Sequence, residues 1–193
     1  MKTMVVGVSG ASGAPLAAAF LKAMQGVQNW QTHLVLTRGA ALTLAQETDL
    51  HPADLQALAD VTYPESEVGA AIASGSFRAD GMAVVPCSMK TLAGIACGYS
   101  DTLLLRAADV MLKERRKLVL VARETPLNAI HLRNMLTLTE MGAVILPPML
   151  TYYHRPQTAA EMTAQIVGKL LDQFDIPAPG YARWNGAGCT HDV

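Results

Sequence analysis

The sequence predicts a single doubly wound α/β domain, a parallel sheet covered by helices on both faces. Three observations lead there. Five short apolar runs rich in β-branched residues are spread along the chain. Segments with helical spacing of apolar residues fill the intervals, so that strand and helix alternate. The runs are continuously apolar instead of alternating with polar residues, which means that both sheet faces are buried.

Met4 to Val8 is the first strand, and Ala14 to Gln25 is the helix that follows it. His33 to Leu36 and Gly39 to Glu47 repeat the unit. From His51 to Ala79 the pattern is less regular: one short helix around Ala53 to Asp60, then a loop containing Ser and Gly. Met82 to Val85 is the third strand, followed by helical segments at Met89 to Cys97 and Thr102 to Arg116. Leu118 to Val121 is the fourth strand, Asn128 to Met141 its helix, and Ala143 to Leu146 the fifth strand. The last helix, Ala159 to Phe174, starts after Thr158, a cap residue with Glu161 three positions on, and stops before Pro177. A domain is therefore expected over residues 1–176, with 177–193, which carries two Pro and three Gly, as a C-terminal arm.

Composition narrows the function classes. Of 193 residues, 51% are hydrophobic and 16% charged, where a soluble domain carries roughly 25% charged residues. A chain this poor in solvating groups is expected to hide surface in contacts between copies of itself, as a homo-oligomer. The net charge of −1 gives no attraction to nucleic acid or to an anionic membrane. Every apolar run is broken before the ~18 residues of a membrane span, and Met4 to Val8 is too short for a signal-peptide core, so a cytoplasmic location is expected. Cys87, Cys97 and Cys189 are odd in number and lack CxxC spacing, which points to neither a disulfide framework nor a metal site.

In open α/β sheets ligands bind at the carboxyl ends of the strands, and there this sequence gathers hydroxyls and cations. After the first strand comes Ser9-Gly10-Ala11-Ser12-Gly13, small residues at a helix start where free amides and the positive dipole end can hold a phosphate. It is neither a Walker loop nor GxGxxG, and Thr37-Arg38 after the second strand lacks the acid that binds the ribose of NAD. Ser88-Met89-Lys90-Thr91 after the third strand repeats the arrangement, although Ser before a helix can also be no more than a cap. Two such loops on neighbouring strands point to a mononucleotide phosphate site. Arg123-Glu124 ends the fourth strand and reads as an anion clamp beside an acid/base group, or as a structural ion pair. Taken alone, Glu47 reads as a solvated residue, and Lys113 to Arg116 as cations suited to a helix end. Tyr152-Tyr153-His154 is either a binding lid or an aromatic-packed loop, and Cys87 reads as a buried thiol.

These residues fall into blocks that resemble the UbiX-like flavin prenyltransferases, the small B subunits found with aromatic acid decarboxylases. The blocks run in order: Gly-Ala-Ser-Gly at 10–13, Glu-Thr-Asp at 47–49, Ser-Gly-Ser at 74–76, Pro-Cys-Ser at 86–88 with Thr91, and Arg-Ala-Ala-Asp-Val at 106–110. Leu-Lys-Glu-Arg-Arg at 112–116, Arg-Glu-Thr-Pro-Leu at 123–127, Gly-Ala-Val-Ile-Leu-Pro-Pro at 142–148, Tyr-His-Arg-Pro-Gln at 153–157 and Ala-Arg-Trp at 182–184 complete the set.

The resemblance implies a Rossmann-like, flavodoxin-like subunit of a dodecamer with FMN at subunit contacts. It implies transfer of a dimethylallyl group from dimethylallyl phosphate to N5 of reduced FMN, ring closure at C6, and delivery of the prenylated FMN to a UbiD-like decarboxylase. By motif match, Gly10, Ala11, Ser12, Thr37, Ser88, Met89, Lys90, Thr91 and Arg123 contact FMN, with Arg106 near the same site. Lys113, Arg123, Tyr153 and Lys169 hold the prenyl phosphate, Trp184 lies by it, and Ser12, Glu47 and Glu124 manage proton traffic. No DDxxD motif for magnesium occurs, and a monophosphate held by Lys, Arg and Tyr needs no metal. Thr37-Arg38 replaces the common Ser-Lys, and Lys90 occupies a position where relatives vary. The main alternative is an FMN-binding subunit that itself takes part in decarboxylating a hydroxybenzoate-type acid. FMN-dependent cysteine decarboxylases share the fold but expect a base histidine and Asn-containing motifs absent here; a flavin carrier leaves Glu47, Glu124 and Lys113 without a task. A flavodoxin-type electron carrier is expected to be strongly acidic, unlike this chain.

Overall fold

The computed structural model describes residues 1–186. Cys189 and His191 lie outside them. Six parallel strands form one sheet in the order β3-β2-β1-β4-β5-β6, with β1 at Lys2–Val8, β2 at Trp30–Leu36, β3 at Val61–Pro64, β4 at Gly81–Cys87, β5 at Leu118–Ala122 and β6 at Val144–Ile145. Helices α1 (Ala14–Gln25), α2 (Arg38–Glu47), α3 (Pro52–Gln56) and α7 (Ala159–Asp172) belong to the core of one face. Helices α4 (Met89–Ala96), α5 (Leu103–Lys113) and α6 (Ala129–Glu140) belong to the other. All of β4 and β5 is buried, as their uninterrupted apolar runs require.

The expectation differs from the fold mainly between residues 51 and 79. The short helix occupies Pro52–Gln56, not Ala53 to Asp60, and Val61–Pro64 forms an edge strand where a loop is expected. That strand is only four residues long, alternates in burial and ends in proline. What holds it is not visible along the chain: the Asp60 carboxylate accepts from both the Thr32 amide (2.7 Å) and its hydroxyl (2.9 Å), and His33 Nδ1 meets the Tyr63 hydroxyl at 2.9 Å. Without β3, the remaining five strands have the flavodoxin-like order, the second and first preceding the third to fifth; with it, the order is the Rossmann one. In both descriptions the connections diverge between β1 and β4, where a crevice must open.

The core of the α1 face is built on Met4, Phe20 and Leu21, each fully buried. Truncating a side chain such as Phe20 to alanine costs about 3–5 kcal/mol. Helix starts follow the sequence signals. Thr102, Asn128 and Thr158 cap α5, α6 and α7 by accepting from the Leu105, His131 and Glu161 amides. Glu161 turns back to the Gln157 amide at 2.6 Å, one residue short of a closed capping box. Cys87 is buried, and burial pushes its thiol well above the usual range, consistent with an inert packing role.

Candidate active site

A cavity of about 1050 Å³ opens at the carboxyl ends of β1, β2 and β4, the switch point where such folds bind ligands. Ser9 and Gly10 line it after β1, Thr37 and Gly39 after β2, and Ser88 and Thr91 after β4. Buried Ser9 stitches two of these loops together: its hydroxyl donates to the Pro86 carbonyl at 3.0 Å and accepts from the Ser88 amide at 2.8 Å. Gly10 is required by close approach, since a Cβ there would lie 2.8–3.0 Å from Gly39 backbone atoms. The β1 loop and the start of α2 thus touch backbone to backbone.

The Ser88 cap expected from sequence is formed, and Thr37 caps α2 in the same way. The Thr37 hydroxyl accepts from the Ala40 amide at 3.1 Å, and the Ser88 hydroxyl accepts from the Thr91 amide at 3.3 Å while donating to the Thr91 hydroxyl at 3.1 Å. Helix geometry then leaves the Met89 and Lys90 amides at the start of α4 without intrahelical partners, facing the cavity that Lys90 lines. Met89 keeps its side chain in the core, so a ligand meets it through its backbone.

The β1 loop behaves differently from its expected role. The Gly13 and Ala14 amides that begin α1 both donate to Glu47 Oε2 at 2.8 Å. This corrects two expectations: Glu47 is not a free solvated residue, and those α1 amides are not open to a phosphate, because the chain supplies their anion itself. Partial burial alone would raise the Glu47 pKa. A hydrogen bond from the Ser12 side chain, the two amide bonds and the Arg123 charge outweigh that effect and hold it below the usual carboxylate range. Ser12, Glu47 and Arg123 therefore form one cluster beside the cavity.

Arg123 follows β5, its amide bound to the Cys87 carbonyl at 3.0 Å. The structural ion pair with Glu124 is not formed among the described residues: Glu124 is exposed and accepts from the adjacent Thr125 amide at 3.0 Å. Arg106 does not line the cavity; it bonds the Ala73 carbonyl at 3.1 Å and pairs with Asp109 at 2.6 Å.

The expected prenyl-phosphate residues are not gathered within one chain. Lys113 pairs with Glu114 at the end of α5, five residues before β5 begins, and so sits at the amino edge of the sheet, opposite the cavity. Lys169, in the last turn of α7, pairs with Asp172 at 3.3 Å near that same edge, where Lys117 also bonds the Gln173 carbonyl. Tyr153 and Trp184 do meet, edge to face with ring centroids 5.8 Å apart. Tyr153 also meets His154 edge to face at 5.6 Å, whereas Tyr152 points to solvent, so the run packs through Tyr153 and leaves Tyr152 exposed.

Sequence reasoning missed three site-forming residues. Ser9 appears only as one small residue among several. Glu65 binds the Arg38 amide at 3.0 Å and follows the strand that escaped notice. Gln165 lies inside an apolar helix with nothing nearby in sequence to mark it.

A doubly wound parallel sheet with a cavity at its switch point, rimmed by hydroxyl caps and open amides, defines a mononucleotide-binding protein of the flavoprotein class. The chain accordingly matches the Flavoprotein family over residues 1–174. It is 51% identical over 189 residues to the flavin prenyltransferase UbiX of Salmonella typhimurium, covering 97% of this chain and all of that one. Among solved structures, AnUbiX (PadA1) in complex with FMN and dimethylallyl pyrophosphate superposes with a TM-score of 0.94 at 51% identity, covering 96% of this chain and 98% of that chain. A dodecameric FMN-dependent UbiX-like decarboxylase from Escherichia coli superposes with a TM-score of 0.94 at 50% identity, covering 95% of this chain and 100% of that one. The chain belongs to the UbiX-like flavin prenyltransferase family.

Proposed function

We propose that this chain is a metal-independent flavin prenyltransferase that moves a dimethylallyl group from dimethylallyl phosphate onto reduced FMN and passes the prenylated FMN to a UbiD-like aromatic acid decarboxylase. The observation that carries the reading is the switch-point cavity with the Ser12–Glu47–Arg123 cluster at its side. The cavity fits FMN: the open amides of α4, the hydroxyls of Ser88 and Thr91 and the small residues Gly10 and Ala11 suit its phosphate, and Leu36, Leu42 and Leu104 give its ring an apolar wall. Thr37, Met89 and Lys90 complete the set that holds it, the last two through their amides.

When bound, reduced FMN supplies the nucleophilic positions that take up the dimethylallyl group. The chain's residues do the rest. Arg123, with Lys113, Lys169 and Tyr153 from neighbouring protomers, binds the phosphate and stabilises its charge as the allylic C–O bond breaks. Trp184 offers a π surface beside it, as a developing allylic cation requires. Glu124, exposed and unpaired with Arg123, is the group available to take up a proton. Ionised Glu47 orients Ser12 and balances the Arg123 charge. Arg106 supports the site from α5 without touching the cavity of its own chain.

The flavin-binding domain spans residues 1–176, with 177–193 as a C-terminal arm, and the protein works in the cytoplasm as a dodecamer. Exposed Ile130, Leu132, Leu136 and Met141 on or beside α6 supply the apolar surface that such an assembly covers. Among the described residues no helix is long and apolar enough to cross a membrane. Mass spectrometry of the flavin after anaerobic incubation with reduced FMN and dimethylallyl phosphate tests the reading; recovery of unmodified FMN alone refutes it. The name of the Escherichia coli neighbour keeps direct decarboxylation as a second reading, and it is sustained only if the purified chain alone releases carbon dioxide from a hydroxybenzoate.

A further inference from the structure

Gln165 lies in the middle of α7 and is 94% buried, at 6% exposure, in a helix whose neighbouring buried positions are Val167, Gly168, Leu170 and Leu171. A buried side-chain amide is costly unless its donors and acceptor are all used. Here they are. Oε1 accepts from the Ala182 amide at 3.1 Å, and Nε2 donates to the Ala182 carbonyl at 2.8 Å and to the Tyr153 hydroxyl at 2.7 Å. The Ala182 backbone offers one donor and one acceptor, so these bonds fix which end of the Gln165 amide is oxygen and which is nitrogen.

The same network fixes the Tyr153 proton. A phenol carries one O–H and accepts through its lone pairs. Its oxygen receives the second Nε2 proton of Gln165, and its own proton goes to the Ala182 carbonyl at 2.8 Å. If Tyr153 is to donate to a phosphate, that proton must turn away from Ala182. The Ala182 carbonyl keeps the Gln165 donor, and the phenol oxygen stays anchored by Gln165 while its proton is redirected. No buried group loses its last partner.

The tail docks on the same stripe of α7, at positions spaced i, i+3 and i+7. Tyr181 packs over Gly168, where a Cβ would come within 2.7 Å of its side chain; Ala182 pairs with Gln165; Arg183 pairs with Asp172. This seating carries Trp184 to the Tyr153 ring.

We propose that Gln165 is a positioning residue for prenyl-phosphate binding: it holds the Tyr153 hydroxyl in place, frees its proton for the phosphate and seats residues 181–184 beside it. The proposal rests on the reading of Tyr153 as a prenyl-phosphate ligand, and the experiment separates the two. Calorimetric titration of dimethylallyl phosphate into oxidised, FMN-loaded protein is made for the wild type, Tyr153→Phe, Gln165→Met and the double variant, with FMN affinity and thermal midpoint recorded for each. We expect Gln165→Met to weaken prenyl-phosphate binding roughly tenfold with FMN affinity unchanged. In the Tyr153→Phe background the same substitution is expected to cost much less, because the hydroxyl it positions is already gone and only its bonds to Ala182 remain to be lost. Equal weakening in both backgrounds, or a lower midpoint with unchanged binding, overturns the proposal and leaves Gln165 a structural residue. Unchanged binding in Tyr153→Phe overturns both the ligand reading and the proposal built on it. If Gln165→Met does not fold, Gln165→Glu carries the test: a carboxylate still accepts from the Ala182 amide but takes the phenol proton itself, so it must weaken binding more when the hydroxyl is present than when it is absent.

Discussion

Replacing Glu47 by glutamine tests whether the chain supplies its own anion to the start of α1. The amide oxygen of glutamine can still accept from Gly13 and Ala14, whose amides lie 2.8 Å from Oε2 in the native protein, so shape and bond count survive and only the charge is lost. Charge-assisted hydrogen bonds contribute about 1.5–3 kcal/mol against about 0.5–1.5 for neutral ones. Two bonds therefore set a loss near 2 kcal/mol, to which the helix dipole adds roughly 0.3–1 kcal/mol. Partial exposure of Glu47 screens part of this, leaving about 1–2 kcal/mol at neutral pH. The pH dependence has a definite sign. The folded pKa of Glu47 is lowered, so the stabilisation is fully present above the unfolded value of about 4.3 and is lost as pH falls through the folded value. Urea unfolding followed by far-UV circular dichroism, at one fixed protomer concentration, should show a constant gap between wild type and Glu47→Gln from pH 8 to pH 5 that closes below pH 4.5. A gap under about 0.3 kcal/mol at pH 7.5, well short of the charge-assisted difference, or one that persists unchanged in acid, would refute the ionised cap.

Three further outcomes follow from the site. Ser88→Ala with Thr91→Ala should weaken FMN binding, measured by flavin fluorescence quenching, and cost about 1 kcal/mol through the lost α4 cap, while the fold survives; unchanged FMN affinity removes the β4 loop from the phosphate site. Gly10→Ala should abolish FMN binding in the same assay, because its Cβ must push back Gly39 backbone only 2.8–3.0 Å away, at about 1–3 kcal/mol of overpacking; normal affinity would show that the two loops do not need their contact. Glu124→Gln should leave FMN and phosphate affinity close to wild type and slow formation of the prenylated flavin by about 10²–10⁴-fold; a wild-type rate moves the proton acceptor to Glu47 or solvent.

What could be read in the sequence was local. The central strands announce themselves because burial on both faces demands continuous apolar runs, and Ser88 and Thr158 announce helix starts because a cap bonds amides two or three residues ahead. Strand β3 gives no such signal: its four residues alternate in burial at a sheet edge, and its register is set by Asp60 reaching back 28 residues to Thr32. The partners of Glu47 are hidden for a related reason. On its own helix it is a polar terminal residue, and its partners lie 33 and 34 positions earlier. Gln165 binds Ala182 17 residues ahead and Tyr153 12 residues behind, distances at which periodicity carries no information. The family motifs name candidate residues, but not which of them one chain can bring together.

That last distinction decides where the reaction can occur. Helix α5 begins at the cavity, since Leu104 and Leu105 line it, and ends at Lys113. The eight residues from Leu105 to Lys113 carry the chain ~12 Å along the axis at ~1.5 Å per residue, toward the amino edge of the sheet. Arg116 is anchored there on the Gly75 and Phe77 carbonyls, so that end of α5 cannot swing back to the carboxyl edge, where Arg123 and Glu124 stand. If Lys113 and Glu124 serve the same prenyl phosphate and its proton, they come from different protomers. Lys113→Ala and Glu124→Gln should then each be inactive alone yet partly active when co-expressed in one assembly. With random mixing in equal amounts, a site drawing the two residues from separate protomers is intact in roughly a quarter of cases, whereas a site drawing both from one protomer is never intact. Formation of prenylated flavin by the mixed assembly, near a quarter of the wild-type rate, is the expected result. Activity no higher than that of the two variants separately, in assemblies shown by mass spectrometry to be mixed, would place both residues in one chain's site and contradict the geometry of α5.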